Sequence, residues 1–180
     1  MVSDGTSLDR VFVGFGSNMG ESAQILTEAW QRLALAPLVD CIRFSSPYRS
    51  APVDMDSEQW FVNAVGEVRT SLSPHQFLSI LMGIEKAMGR KRDFAKVGYQ
   101  DRVIDLDLLY FGRQIVQTAD LVLPHPQRLS RLFVLTPLAE IAPLFLDDSN
   151  GKTILELEKL LLRKINTGII ASQSICRANW

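Results

Sequence analysis

The order of apolar patterns along the chain predicts an α+β fold, built on a mostly antiparallel sheet with helices packed against it. Three observations carry this. Runs alternating with a period of two and runs with a period of about 3.6 succeed one another as strand, helix, strand, strand, helix, strand. Prolines and glycines punctuate them at Gly14, Gly16, Pro37, Pro47, Pro52, Gly89 and Gly112. No internal repeat or low-complexity linker divides the chain.

Val11-Phe12-Val13-Gly14-Phe15-Gly16 reads as a buried strand ending in glycines. Residues 22–35 make a helix with Ile25, Leu26, Ala29, Trp30, Leu33 and Ala34 as its apolar stripe, and Pro37 stops it. Residues 41–50 suit a strand, broken by Pro47 and then Pro52. An acidic loop covers 53–60, and 61–70 is again a strand. Ser73-Pro74 opens a second helix, with proline at its first position, that runs to Met88 and ends at Gly89. Residues 90–101 form a polar, basic loop. A strand over 105–111 follows, then the turn Gly112-Arg113-Gln114 and a short Ile115-Val116 strand. A helix interrupted by Pro137 spans 129–141. Asp148-Ser149-Asn150-Gly151 turns into an apolar helix over 153–165, with Thr153 as its N-cap. The β-α-β-β-α-β order is that of a ferredoxin-like α/β sandwich, with helices on one face and further helices at the C-terminal end. Residues 10–166 read as a single domain, with 1–9 and 169–180 as flexible tails.

The bulk numbers exclude several classes. The chain has 180 residues, enough for one full core. A net charge of −1 offers no general attraction to nucleic acid or anionic membranes. No apolar run approaches the ~18 residues of a membrane span. Cys41 and Cys176 are the only cysteines. They lie far apart with no histidine cluster, which points away from zinc or a disulfide framework and suits a reducing cytoplasm.

The most informative segment is Arg102-Val103-Ile104-Asp105-Leu106-Asp107-Leu108-Leu109-Tyr110-Phe111-Gly112. In a strand, positions i and i+2 share a face. Asp105 and Asp107 then stand side by side, with Ile104, Leu106 and Leu108 on the other face. Such a like-charged pair needs neutralising, and a hard divalent cation shared with phosphate oxygens does it. A strand end where both carboxylates meet water satisfies the same pattern. Arg90, Arg92, Lys96 and Arg102 lie in or beside the preceding loop, which is either a solvated connection or a lid over phosphates. Leu123-Pro124-His125-Pro126 holds a histidine between rigid flanks, followed by Arg128 and Arg131, a candidate phosphate contact. His75 has no such company and reads as surface. Asn63, a polar amide inside an apolar strand, could serve a ligand with donor and acceptor edges.

Two further motifs fail. Gly14-Phe15-Gly16-Ser17-Asn18-Met19-Gly20 has its third glycine one residue late for a dinucleotide fingerprint. A tight turn, or a close approach of backbone to a ligand, remains open for it. Asn150-Gly151-Lys152-Thr153 lacks the earlier glycine of a P-loop, since Leu146 stands there.

In combination and in order, these segments resemble the 6-hydroxymethyl-7,8-dihydropterin pyrophosphokinase family over roughly residues 11–145. Ser46-Pro47-Tyr48-Arg49-Ser50-Ala51-Pro52, Phe61-Val62-Asn63-Ala64-Val65, Ile84-Glu85-Lys86-Ala87-Met88-Gly89-Arg90 and Arg131-Leu132-Phe133-Val134-Leu135-Thr136-Pro137-Leu138 complete the match. The resemblance implies an ATP-dependent diphosphotransferase of folate biosynthesis. It would pass pyrophosphate from ATP to the pterin hydroxymethyl, giving AMP and the pterin diphosphate. Asp105 and Asp107 would hold two Mg²⁺ ions, with Arg90 and Arg102 as catalytic partners. Phe61 and Phe133 would sandwich the pterin, Asn63 would read its edge, and Ala51 and Val53 would line its pocket. Glu85, Arg92, Leu108, His125 and Arg131 would serve ATP. The implied partners are the two small substrates, with no nucleic acid and no membrane, acting on a monomer. Tyr99-Gln100-Asp101 stands where the family has Trp-Gly-Pro, which bears on closure of the loop. A nucleotide-holding module with little catalysis is the second reading, and AMP formation separates the two.

Overall fold

The computed structural model describes residues 8–53, 59–90 and 101–180. The loop over 91–100, and with it Arg92, Tyr99 and the expected lid, lies outside the described residues. Five strands and two helices build the first part: β1 (Asp9–Ser17), α1 (Ser22–Ala34), β2 (Val39–Phe44), β3 (Tyr48–Ser50), β4 (Phe61–Thr70), α2 (Pro74–Ala87) and β5 (Asp105–Phe111). The short hairpins β6 (Val116–Gln117) with β7 (Val122–Leu123), and β8 (Leu146–Asp147) with β9 (Lys152–Thr153), flank α3 (Leu132–Ile141). After α4 (Ile154–Asn166) the chain ends with β10 (Ile175–Arg177).

The sheet order is β10-β3-β4-β1-β5, with β2 pairing β4 beside β3, and every pairing is antiparallel. Pro47 splits the expected 41–50 strand into β2 and β3, because proline has no N–H for the ladder. The central β4, paired on both sides, is buried along most of its length. This is the expected ferredoxin-like arrangement.

Helices α1 and α2 cover one face. Leu26, Leu33, Phe77 and Leu81 meet Val11, Val13, Phe15, Ile104, Leu106 and Leu108 there. Gly66 makes room for this packing, since a Cβ on it would collide with the Trp30 ring. Helices α3 and α4 lie on the opposite face, over Phe12, Leu109 and Tyr110. The expectation of helices on one face therefore holds only for α1 and α2.

Caps explain the helix starts. Ser73 and Thr153 each form a reciprocal capping box, with Gln76 and Glu156. Helix α3 begins at Leu132 and not at 129, because Arg131 is extended (φ −124°, ψ 114°). Pro137 sits within α3, so it does not end it. A bulge between β1 and β5 shifts the register after Phe12, leaving Leu109 as an extra residue opposite β1. Leu109 and Tyr110 consequently both enter the α3 core, breaking strict alternation.

The expectation of a flexible tail over 169–180 needs correction. Ile175–Arg177 pairs with β3, and Trp180 stacks on Phe44 with ring centres 4.9 Å apart. The segment lacks a period because only three residues pair, and its other contacts are a few isolated backbone and side-chain bonds.

Candidate active site

On the α3 side the sheet is left partly uncovered, as an open cleft. Its floor comes from β1, β4 and β5: Gly14, Gly16, Asn63, Asp105 and Asp107. Gly14 faces Asp107 across the ladder and Gly16 faces Asp105. Both glycines belong to β1 and neither has positive φ, unlike Gly20 at φ 68°. Their role is space: a Cβ on Gly16 would sit 3.2 Å from Asn63 Oδ1. Of the readings left open for this motif, the close approach of a ligand to bare backbone fits the cleft.

Asp105 and Asp107 share the cleft face of β5, as their spacing requires. Asp105 is held between two guanidinium groups. Arg90 Nη1 lies 2.6 Å from its Oδ1, and Arg102 Nη1 lies 2.7 Å from its Oδ2. Burial, and then the charge of Asp105, push the Asp107 carboxyl up to about 7, against the opposing pull of Arg102 and Arg131. The pair is thus short of positive charge at the position a cation would take. Two carboxylates are hard oxygen donors suited to Mg²⁺. Among the described residues no group of three or more His, Cys, Asp or Glu could hold a metal. A cation here would complete its shell with water or with oxygens of a bound phosphate.

Glu85 is buried under this pair. Its Oε1 accepts the Leu106 N–H at 2.8 Å and the Arg90 guanidinium. Burial favours the neutral form of Arg90, but Asp105 and Glu85 outweigh it and raise its pKa. Glu85 therefore orients Arg90 and ties the end of α2 to β5. Asn18 does similar work for the other arginine. Its Oδ1 accepts the Arg102 N–H at 2.8 Å, and its Nδ2 donates to Asp101 at 2.5 Å. Asp101 is thus engaged by Asn18. Nothing in the sequence pattern singled out Asn18.

The remaining walls are apolar and aromatic. Phe61, Ala51 and Val53 line one side, with Phe133 and Arg131 on the other. Arg102 lies 6.0 Å from the Phe61 ring centre and Arg131 lies 5.3 Å from that of Phe133. Asn63 is buried on the floor, and its Nδ2 donates to Ser50 Oγ at 2.9 Å. Ser50 had escaped the sequence reading, for a lone serine near a proline carries no distinguishing signal.

Not every expected residue reaches the cleft. Leu108 points into the α1–α2 core, so its side chain is on the wrong face of β5. Arg128 is not a phosphate contact. Its Nε donates to the buried Asp147 at 2.8 Å and to Tyr110 at 3.1 Å. That network anchors the 125–131 turn, because Arg128 Nη1 also donates to the His125 carbonyl. His125 does not line the cleft floor. Burial, and then Arg131, lower its pKa against the opposing effect of Asp105, which favours the neutral ring. Its Nδ1 accepts the Gln127 N–H at 3.2 Å, which leaves Nε2–H as the donor. His75 is a surface residue, as expected, near Thr118 and Asp120.

Residues 12–143 match the model of the 7,8-dihydro-6-hydroxymethylpterin-pyrophosphokinase family (HPPK). The chain belongs to this family. The 2-amino-4-hydroxy-6-hydroxymethyldihydropteridine pyrophosphokinase of Methylorubrum extorquens is 40% identical over 136 residues, covering 76% of this chain and 84% of the relative. The protein of that name from Synechocystis sp. is 41% identical over 145 residues, covering 81% and 72%. Among solved structures, wild-type Plasmodium falciparum HPPK-DHPS with STZ-DHP superposes with a TM-score of 0.72 at 14% identity. The superposition covers 92% of this chain and 45% of that one, and it shows the shared fold. No helix among the described residues is long and apolar enough to cross a membrane.

Proposed function

We propose that this cleft is where the chain transfers pyrophosphate from ATP to 6-hydroxymethyl-7,8-dihydropterin, a step of folate biosynthesis. The products are AMP and the pterin diphosphate. The carrying observation is the Asp105–Asp107 pair, set between Arg90 and Arg102 beside an aromatic and amide wall, in a chain of the pyrophosphokinase family. The chemistry follows from charge and geometry. Giving AMP requires the bond between the β-phosphorus and the oxygen bridging to the α-phosphate to break, while the pterin hydroxyl oxygen bonds to that phosphorus. Negative charge spreads over the phosphoryl oxygens in such a step, and positioned cations lower its cost.

Asp105 and Asp107 are the residues to hold Mg²⁺, two ions in this reading. Bound there, the metal would supply positive charge that offsets the charge of the phosphate oxygens. Triphosphate oxygens would take over Arg90 and Arg102 from Asp105, releasing that carboxylate for the cation. Arg131 and the Nε2–H of His125 supply further donors on the ATP side, with Arg92 from the loop. Glu85 acts through Arg90, and Leu108 can offer only its main chain. Asn63 presents the amide that reads the pterin edge. Phe61 and Phe133 hold its flat ring, with Ala51 and Val53 closing the rim. We take residues 10–166 as the domain for this reaction, acting as a cytoplasmic monomer. Cys41 and Cys176 are free thiols, which suits that compartment.

Incubation with Mg-ATP and the hydroxymethyl-dihydropterin should yield AMP and pterin diphosphate in equal amounts. A folded chain that binds ATP yet forms no AMP would instead favour the nucleotide-holding module.

A further inference from the structure

The chain beyond α4 lies outside the family match, and nothing in the proposed chemistry uses it. It nevertheless runs between the two walls of the cleft. One wall ends in Ser50 and Ala51, and the other begins with Arg131 and Phe133. On the first side, Ile175 pairs with Ser50, and the Ala51 N–H donates to the Ser174 carbonyl at 3.0 Å. On the second side, Gln173 Oε1 accepts the Leu132 N–H at 2.8 Å, and its Nε2 donates to the Ser130 carbonyl at 2.8 Å.

Leu132 opens α3, where backbone N–H groups have no partner inside the helix. Arg131, at the cap position, makes no side-chain capping bond. Gln173 does that work from 41 positions away. The far end is tied as well. Arg177 reaches Ser46 and Glu140, the latter at 3.4 Å, and Glu140 accepts the Tyr48 hydroxyl at 2.8 Å. Extended chain from 173 to 177 rises ~13 Å. Helix from Leu132 to Glu140 rises ~12 Å. Matched lengths let one short segment hold both ends of α3 against β3.

We propose that residues 173–177 are a brace that sets the width of the pterin end of the cleft, with Gln173 as its positioning residue. The inference rests on the reading of this cleft as the pterin site. Gln173 bonds the residues on either side of Arg131, and Phe133 follows directly. Loss of these bonds frees the start of α3 to shift against Ala51 and Asn63. On the triphosphate side, Arg90, Arg102 and β5 share none of these bonds, and only Arg131 lies between the two residues that Gln173 holds. Displaced positioning groups weaken binding of the ligand they frame.

The test is steady-state kinetics on the full chain for wild type, Q173A and Q173E, with pterin binding followed by calorimetry and folding by thermal melting. Q173A should raise the pterin KM and Kd about threefold to tenfold, with a clearly smaller rise in the ATP KM, carried by Arg131 alone. Q173E keeps the acceptor for the Leu132 N–H and loses the donor to Ser130, so its pterin KM should fall between the two. An unchanged pterin KM in Q173A overturns the brace. Equal rises in both KM values overturn it too, because they mark general loosening. If Q173A does not fold, Q173E decides, and a wild-type pterin KM there refutes the idea. A wild-type chain that neither binds pterin nor forms AMP overturns the reading of the cleft and the brace with it. An active wild type with an indifferent Q173A overturns the brace alone.

Discussion

The two faces of the sheet are built from the same strands and do different work. Toward α1 and α2, β1 offers Val11, Val13 and Phe15, and β5 offers Leu106 and Leu108, all fully packed. Toward α3 and α4, the alternate positions are Phe12, Gly14 and Gly16 from β1, with Asp105, Asp107 and Leu109 from β5. From these two strands Phe12, Leu109 and Tyr110 enter the core on that side, and the glycine–aspartate end stays open. Backbone ladders do not depend on which side chains they carry, so alternation lets one sheet hold a stability face and a chemistry face. Substitutions on one face should then leave the property of the other nearly untouched.

The sharpest way to break this division is at the carboxylates. Asp105→Ala and Asp107→Ala should each cut AMP formation by about 10³-fold or more, since a lone carboxylate cannot hold the cations for the transferred group. The Asp107→Ala melting temperature should hold, because a like-charged pair has been relieved, whereas Asp105→Ala should melt lower, since Arg90 and Arg102 lose the carboxylate they share. Turnover close to wild type in either variant would refute the metal assignment.

The opposite experiment removes a ring from the closed face. Phe77 is fully buried among α1, α2 and the sheet. Phe77→Ala should cost about 3–5 kcal/mol in urea unfolding. Pterin affinity of the remaining folded protein should not change. A parallel loss of affinity would show that the two faces are mechanically coupled.

Asp147 tests the open face away from its chemistry. It is wholly buried, with Arg128, Tyr110 and Asn150 bonded to it. Asp147→Asn would leave the Arg128 charge uncompensated, at about 3 kcal/mol. Burial pushes the Asp147 carboxyl up, but hydrogen bonds from Arg128, Ser149, Tyr110 and Asn150 hold it well below the usual range. A depressed folded value means that the stabilisation is present above the unfolded value of about 3.9 and is lost as pH falls through the folded value. Melting of wild type and variant from neutral pH downward should therefore start to converge below about pH 4 and go on converging as pH falls toward the folded value. A gap that stays constant to the lowest pH would remove Asp147 as its source.

The smallest expected effect is at the cleft floor. Gly16→Ala puts a methyl 3.2 Å from Asn63 Oδ1, where the pterin edge would lie. The pterin Kd should weaken about tenfold by calorimetry, while stability changes by less than about 1 kcal/mol. An unaltered Kd would mean that the ring does not approach this part of β1.

Much of this organisation was legible in the residues themselves. The strands Phe61–Thr70 and Asp105–Phe111 stand at their expected limits, because alternation and flanking punctuation are local signals. The same holds for the capping boxes at Ser73 and Thr153, which span only three residues each. Asp105 and Asp107 share a face for the geometric reason the pattern stated.

What the sequence could not place has a common cause. Arg128 follows His125 and donates to its carbonyl, but its guanidinium is also held by Asp147, 19 positions on. Leu108 lies on the face opposite Asp107, as alternation requires, so only its main chain is left for the role that the resemblance implied. The 169–180 segment looked featureless, yet Gln173 caps a helix begun 41 residues earlier and β10 closes the sheet edge. Sequence alone determined what depends on near neighbours: period, caps, turns and the paired carboxylates. Tertiary structure decided which face α3 and α4 cover, which arginine stays with the cleft, and what the last residues hold together. Those outcomes depend on partners brought close only by folding, and a contact between distant positions leaves no period in the chain.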